Sequence, residues 1–66
     1  MKVWAVVTEV DYEGSEVEKV YATEASAAAE CNRLKQLQTQ PSEVRYAAGW
    51  FGNPDEIRVE EWEVLP

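Results

Sequence analysis

The chain has 66 residues, with 13 acidic and 6 basic side chains, no histidine and one cysteine. That length allows one small domain, 1–66, without room for a deep catalytic cleft, and the 45% hydrophobic content is too high for a disordered acidic tail. The net charge of −7 disfavours direct contact with nucleic acid or with a membrane surface.

The first third of the chain predicts a β-hairpin. Residues 2–10 carry apolar side chains on both parities, which is typical of a central strand. Residues 11–15 predict a turn in which Gly14 can adopt a positive φ. Residues 16–22 alternate again and predict the second strand, so the two strands are expected to pair antiparallel.

One helix is predicted over residues 24–38. Thr23 is a favourable N-cap, and Glu24 suits the positive end of the helix dipole. Apolar side chains recur at the helical period on one face, at Ala27, Cys31 and Leu34. Because this face is small and smooth, we expect the helix to lie close against a sheet, with the Cys31 thiol in the core.

The final third of the chain predicts two further strands. Alternating apolar residues over 43–51 favour a third strand, and residues 52–55 predict a turn. Residues 56–65 predict a fourth strand whose apolar parity switches half-way along it. Either a β-bulge at Glu60–Glu61 or burial of both faces near the start of the strand would account for that switch.

Together these elements predict an α+β domain of ββαββ type. One helix would cover one face of a four-stranded, mainly antiparallel sheet with the strand order 2-1-4-3. A single alanine-rich helix is too small to cover three tryptophans, three tyrosines and a phenylalanine. We therefore expect some aromatic surface to be exposed, or to be buried in a homodimer.

The composition argues against catalysis and against a bound cofactor or metal. Without histidine there is no Ser-His or Cys-His nucleophile pair, and the scattered glycines form no phosphate-binding loop. Asp11, Glu13 and Ser15 alternate around a turn, but the calcium-loop pattern that ends in a bidentate glutamate is missing. We expect a non-enzymatic protein without a cofactor.

Two features of the last third predict a protein-binding surface. Carboxylates two residues apart on a strand share one face, and such a row can imitate the phosphates of nucleic acid. Two large aromatics flanked by glycines at a predicted hairpin tip favour an interface anchor. Charged edges that block aggregation, and aromatics that cap the core, are the alternatives. The expected partner-binding residues are Trp50, Phe51, Asp55, Glu56, Glu60, Glu61 and Glu63.

Four segments of the chain carry a resemblance to known proteins. They are Val3-Trp4-Ala5-Val6-Val7, Asp11-Tyr12-Glu13-Gly14, Val20-Tyr21-Ala22-Thr23-Glu24 and Glu60-Glu61-Trp62-Glu63-Val64. In these segments the chain resembles small uncharacterised acidic proteins of bacteria and their phages, of ββαβ type. The resemblance covers most of the chain except residues 44–58, and it implies no functional residue. Phage proteins of this size and charge include inhibitors of host nucleic-acid machinery, anti-CRISPR proteins among them.

The leading hypothesis is a phage-type inhibitor that docks its acidic surface on a basic nucleic-acid-handling protein, such as a CRISPR-Cas component, and so acts as a DNA mimic. Asp55, Glu56, Glu60, Glu61 and Glu63 would supply the charge, and Trp50 with Phe51 the apolar anchor. The alternatives are a structural or regulatory homodimer without a nucleic-acid connection and a small-molecule or calcium-binding module. A lone cysteine forms no internal disulfide, so the expected location is the reducing cytoplasm of a bacterial host.

Overall fold

The computed structural model describes residues 1–65 and consists of an antiparallel sheet with a helical layer on one side. Its elements in chain order are β1 (Lys2–Val10), β2 (Gly14–Tyr21), α1 (Glu24–Gln38), α2 (Ser42–Ala47) and β3 (Glu56–Glu63). The strand order is β2-β1-β3, so β1 is the central strand. The fold is therefore α+β with a three-stranded sheet.

The predicted opening hairpin and helix are confirmed. β1 begins and ends as expected, whereas β2 starts two residues earlier than predicted, at Gly14, which adopts a φ of +93°. The helix spans the predicted residues, and its N-cap Thr23 accepts a hydrogen bond at Oγ1 from the Ser26 backbone N–H at 3.2 Å. The helix could be predicted from local sequence because its N-cap residue and the helical period of its apolar residues indicate the same bounds.

The predicted third strand over 43–51 is wrong, because most of that segment forms α2. The helix ends in a Schellman motif around Gly49, which has a φ of +85°. The Gly49 N–H donates to the Tyr46 carbonyl, and the Trp50 N–H donates to the Arg45 carbonyl, both at 3.0 Å. A glycine that follows two alanines in this way ends a helix, and here it outweighs the strand-like alternation. The four-stranded ββαββ arrangement is therefore replaced by ββααβ.

The last strand lies beside β1, as the predicted order required, but its expected irregularity is absent. The β1–β3 pairing runs without a shift from Lys2–Glu63 to Glu9–Glu56, so the proposed bulge at Glu60–Glu61 is wrong. An irregularity occurs instead in β2, whose register with β1 shifts between Val6 and Val7. This bulge changes which residues of β2 share a face of the sheet.

The core lies between α1 and one face of the sheet. Its buried residues are Val6, Ala27, Cys31, Leu34, Trp50 and Ile57, with Trp4, Tyr21, Leu37 and Val59 packed partly buried against them. The predicted inner face of α1, including the Cys31 thiol, is confirmed. Trp50 joins the core because the Schellman motif turns the chain back after α2.

Candidate protein-binding face

The sheet face opposite α1 carries an apolar patch that no other element covers within the described residues. Val6 and Val59 face α1, so the side chains on either side of them in sequence point the other way. Cross-strand pairing on that other side joins Val3 to Trp62 and Val7 to Val17. We call this surface the open face; its apolar residues are Val3, Ala5, Val7, Val17, Val20 and Trp62.

The open face is shielded at its centre and exposed at its margins. Ala5 and Val7 are buried although no helix lies over them, and on the central strand each lies between a partner residue of β2 and one of β3. Val17, Val20 and Trp62 remain 46%, 49% and 36% exposed. Several exposed apolar side chains on one uncovered face of a sheet are typical of a protein-binding surface.

Three carboxylates border the patch along β1 and β3, and we call them the acidic rim: Glu9, Glu56 and Glu60. They surround a single guanidinium, that of Arg58. The Arg58 Nε lies 2.8 Å from Glu60 Oε2, and its Nη1 lies 3.6 Å from Glu56 Oε2 and 3.7 Å from Glu9 Oε1. One positive charge cannot neutralise three carboxylates, so the acidic rim stays negative.

Glu60 connects the apolar and acidic parts of the open face. Its Oε1 accepts a hydrogen bond from Trp62 Nε1 at 2.9 Å, and its other oxygen accepts from Arg58. The Trp62 bond first, and the Arg58 bond second, lower the pKa of Glu60, and the Glu60 bond raises the pKa of Arg58. The carboxylate therefore stays ionised, and the indole is held in one orientation at the edge of the patch.

The predicted carboxylates divide between the two sides of β3. Glu56 and Glu60 belong to the acidic rim, whereas Glu61 and Glu63 point to the side of the sheet that carries α1. Glu61 Oε1 lies 3.4 Å from Lys2 Nζ, and Glu63 Oε1 lies 3.5 Å from the terminal amine. The structure therefore places two of the five predicted carboxylates on the open face.

The predicted aromatic pair divides in the same way. Trp50 is only 8% exposed and belongs to the core, whereas Phe51 is 74% exposed and stacks on Tyr46 with ring centroids 5.3 Å apart. Asp55 is engaged in the fold, because its Oδ2 accepts a hydrogen bond from the Asp11 N–H. Trp50 in this position is not available to a partner.

Sequence reasoning missed the apolar half of the open face. Trp62 shares the parity of Glu60, a signal that was present in the sequence once β3 was known to lack a bulge. Val17 and Val20 have opposite parities, and only the bulge in β2 places both on one face, opposite Val7 and Ala5. No pattern in the sequence indicates that bulge.

Other kinds of site are sparse in the part of the chain that the structure describes. Within residues 1–65, no three histidine, cysteine or acidic side chains come together in a way that could hold a metal ion. Neither α1 nor α2 is long and apolar enough to cross a membrane. Comparison with protein-family models, with curated proteins and with solved structures finds no match for this chain. The open face and its acidic rim are therefore the candidate site.

Proposed function

We propose that the protein is a non-enzymatic inhibitor of phage type that binds a positively charged surface on a nucleic-acid-handling host protein, such as a CRISPR-Cas component. It binds with the open face, where Trp62 supplies the apolar contact and Glu56 and Glu60 supply the charge. The bound surface is the one on which the partner holds nucleic acid, so the protein competes with that nucleic acid by imitating its charge.

The observation that carries this proposal is the union of an apolar patch and an acidic rim on one face. Apolar contact alone suits many partners, whereas carboxylates in excess select a basic one. The net charge of −7 extends the same preference over the whole molecule and speeds the encounter with a cationic surface. Because Trp62 and Arg58 already hold Glu60, binding costs less entropy at that residue.

A homodimer formed by two open faces is the second candidate, and the exposed Val17, Val20 and Trp62 favour it. The acidic rim opposes it, because packing two copies face to face brings like charges together. Sedimentation equilibrium separates the two candidates. If the protein forms a dimer that dissociates on Trp62→Glu substitution, and no basic protein is captured, the homodimer is favoured over the inhibitor.

Capture from nuclease-treated bacterial lysate, followed by reconstitution with the purified partner, tests the inhibitor. The captured protein must be basic, must be released by salt and must lose its nucleic acid when the inhibitor is added. Trp62→Ala should weaken the reconstituted complex about 30-fold if this residue is a hot spot. Replacing Glu56 and Glu60 by glutamine should slow association and flatten its dependence on salt.

Two variants serve as controls for that experiment. Glu43→Gln removes one carboxylate charge from α2, which packs on α1 and not on the sheet, and is compared with Glu56→Gln and Glu60→Gln made singly. Phe51→Ala removes an exposed aromatic away from the open face and tests the sequence-based expectation that Phe51 is an anchor. Loss of binding in Phe51→Ala with full binding in Trp62→Ala would move the site to the end of α2. Full binding in every variant would contradict both locations.

A further inference from the structure

A cavity of about 300 Å³ lies between the start of α1 and the helix-facing side of the sheet, on the opposite side from the open face. Its lining residues are Trp4, Glu24, Ala28, Val59 and Glu61. We call it the α1–β3 pocket. A cavity of this volume is at the small end of ligand sites, so it suits one side chain better than a drug-sized molecule.

The lining of the α1–β3 pocket combines two kinds of surface. Trp4, Ala28 and Val59 form apolar walls, and Glu24 and Glu61 bring two carboxylates. Trp4 and Glu61 are direct partners in the β1–β3 pairing, so the indole and that carboxylate are neighbours on one face of the sheet. An aromatic wall beside carboxylates disfavours an anion and favours a cation with an apolar surface.

We propose that the α1–β3 pocket binds an arginine side chain of the basic partner, an inference that rests on the proposed function. β3 is an outer strand of the sheet, so a partner seated on the open face reaches the pocket by extending this arginine around the β3 edge. A guanidinium is flat and weakly hydrated, so it can stack on the Trp4 indole while its N–H groups donate to Glu61 or Glu24. A lysine ammonium is a compact, strongly hydrated charge that gains less from the apolar walls. The pocket thereby selects arginine over lysine.

Lys2 is the cation that competes for the same carboxylate within the protein. Its Nζ lies 3.4 Å from Glu61 Oε1, and both side chains are more than half exposed. An exposed pair of this kind is weak, so an incoming guanidinium can replace it. Removing the Lys2 charge should therefore strengthen arginine binding rather than weaken it.

The three tryptophans make a site-resolved test possible. Trp4 lines the α1–β3 pocket, Trp62 lies on the open face and Trp50 lies in the core. We would titrate the ¹⁵N-labelled protein with N-acetylarginine amide and follow the three indole N–H signals by NMR. The Trp4 signal should move and saturate, while the Trp50 and Trp62 signals stay in place. N-acetyllysine amide should give a weaker response at the same signal.

Charge variants then test the assigned contacts. Glu24→Gln and Glu61→Gln should each weaken arginine binding about three- to ten-fold, and Lys2→Met should strengthen it about two- to five-fold. Glu43→Gln, the matched control in α2, should leave the affinity unchanged. Thermal unfolding of each variant identifies any that changes binding by loss of fold.

Three results would overturn the pocket. They are movement of the Trp62 signal instead of Trp4, equal responses to arginine and lysine amides, and unchanged affinity in both glutamine variants. The probe is a free amino-acid derivative, so the pocket and the proposed function fail separately. A Trp4 response without any captured basic protein keeps the pocket and rejects the inhibitor. Capture of a basic partner without a Trp4 response keeps the proposed inhibitor function and rejects arginine binding in the pocket.

Discussion

Asp55 closes the end of β1 by bonding to two residues of the hairpin. Its Oδ2 accepts a hydrogen bond from the Asp11 N–H at 2.7 Å, and its own N–H donates to the Glu9 carbonyl at 2.8 Å. Gln38 Nε2 donates to the carbonyl of the adjacent Pro54 at 2.7 Å, so the end of α1 holds the same loop. The loop before β3 is thereby fixed to both layers of the fold.

Replacing Asp55 by alanine should lower the free energy of unfolding by about 1–2 kcal/mol, because it removes a charged acceptor from a backbone donor. Urea unfolding gives the value, and hydrogen exchange at the Asp11 amide should become faster. Asp11→Asn is the matched control, since it changes a neighbouring charge and keeps the backbone donor. An equal loss of unfolding free energy in the two variants would show that the Asp55–Asp11 hydrogen bond does not stabilise the fold.

The β1–β2 turn contains a residue in a strained backbone conformation. Tyr12 has a φ of +73°, and its side chain is fully exposed. Tyr12→Gly should therefore stabilise the protein by up to about 1 kcal/mol, because the strain disappears and no packing is lost. Gly14→Ala, two residues later at a φ of +93°, should destabilise it by about 1 kcal/mol or more. Thermal unfolding in which both substitutions raise the stability, or both lower it, would contradict the strain assigned to Tyr12.

Glu30 links α1 to β2 and should make stability depend on pH. Its carboxylate accepts two hydrogen bonds from Arg33 and lies 3.5 Å from Lys19 Nζ. The Arg33 bond chiefly, with the charges of Arg33 and Lys19, lowers the pKa of Glu30 below its ordinary value of 4.5. A lowered pKa stabilises the fold above the ordinary value, and that contribution is lost as the pH falls through the folded value.

Glu30→Gln should therefore lower the free energy of unfolding by about 1 kcal/mol at pH 7, and this loss should become smaller as the pH falls below about 4.5. Urea unfolding at a series of pH values and low protein concentration measures it. Glu43→Gln, which removes one carboxylate from α2, is the matched control for the change of charge. A constant difference between Glu30→Gln and the parent at every pH would reject the assigned cause.

Cys31 is 5% exposed among apolar core residues, so its thiol should react only when the protein opens. A thiol-specific chromogenic reagent should label it slowly in buffer and at once in denaturant. Cys31→Ser should destabilise the protein by about 1–3 kcal/mol, because it buries a hydroxyl, and Cys31→Ala should cost less. Rapid labelling of the native protein would contradict a core position.

The sequence predicted those elements whose signals are local. Thr23 caps the helix and Gly14 adopts the positive φ expected of the turn, and both act within a few residues of their position. The prediction of a strand over residues 43–51 was wrong because the alternation of apolar residues there fits a strand, whereas Gly49 and the alanines before it fit the end of a helix. The helical form also brings Trp50 into the core through the Schellman motif, a tertiary contact that the alternation of residues does not display.

The candidate site was predictable only in its charged half. Even there, Glu56 and Glu60 were predicted together with Glu61 and Glu63, which lie on the other side of β3, and Glu9 was not among the predicted residues. The apolar half depends on how β2 is registered against β1, and register is a property of the pair of strands. A bulge that places Val17 and Val20 on one face therefore has no signature in either strand alone.

The outer edge of β3 has a consequence for handling the protein. No further strand pairs with that edge in residues 1–65, its ladder with β1 is regular, and it contains no proline, so its carboxylates are what keep two copies from joining edge to edge. That repulsion weakens as the solution approaches the isoelectric point near 4.3, where the net charge of the protein falls to zero. The protein should then associate into β-rich aggregates that bind thioflavin, and dissolve again on return to neutral pH while the association is young. Its solubility is thus set by protonation.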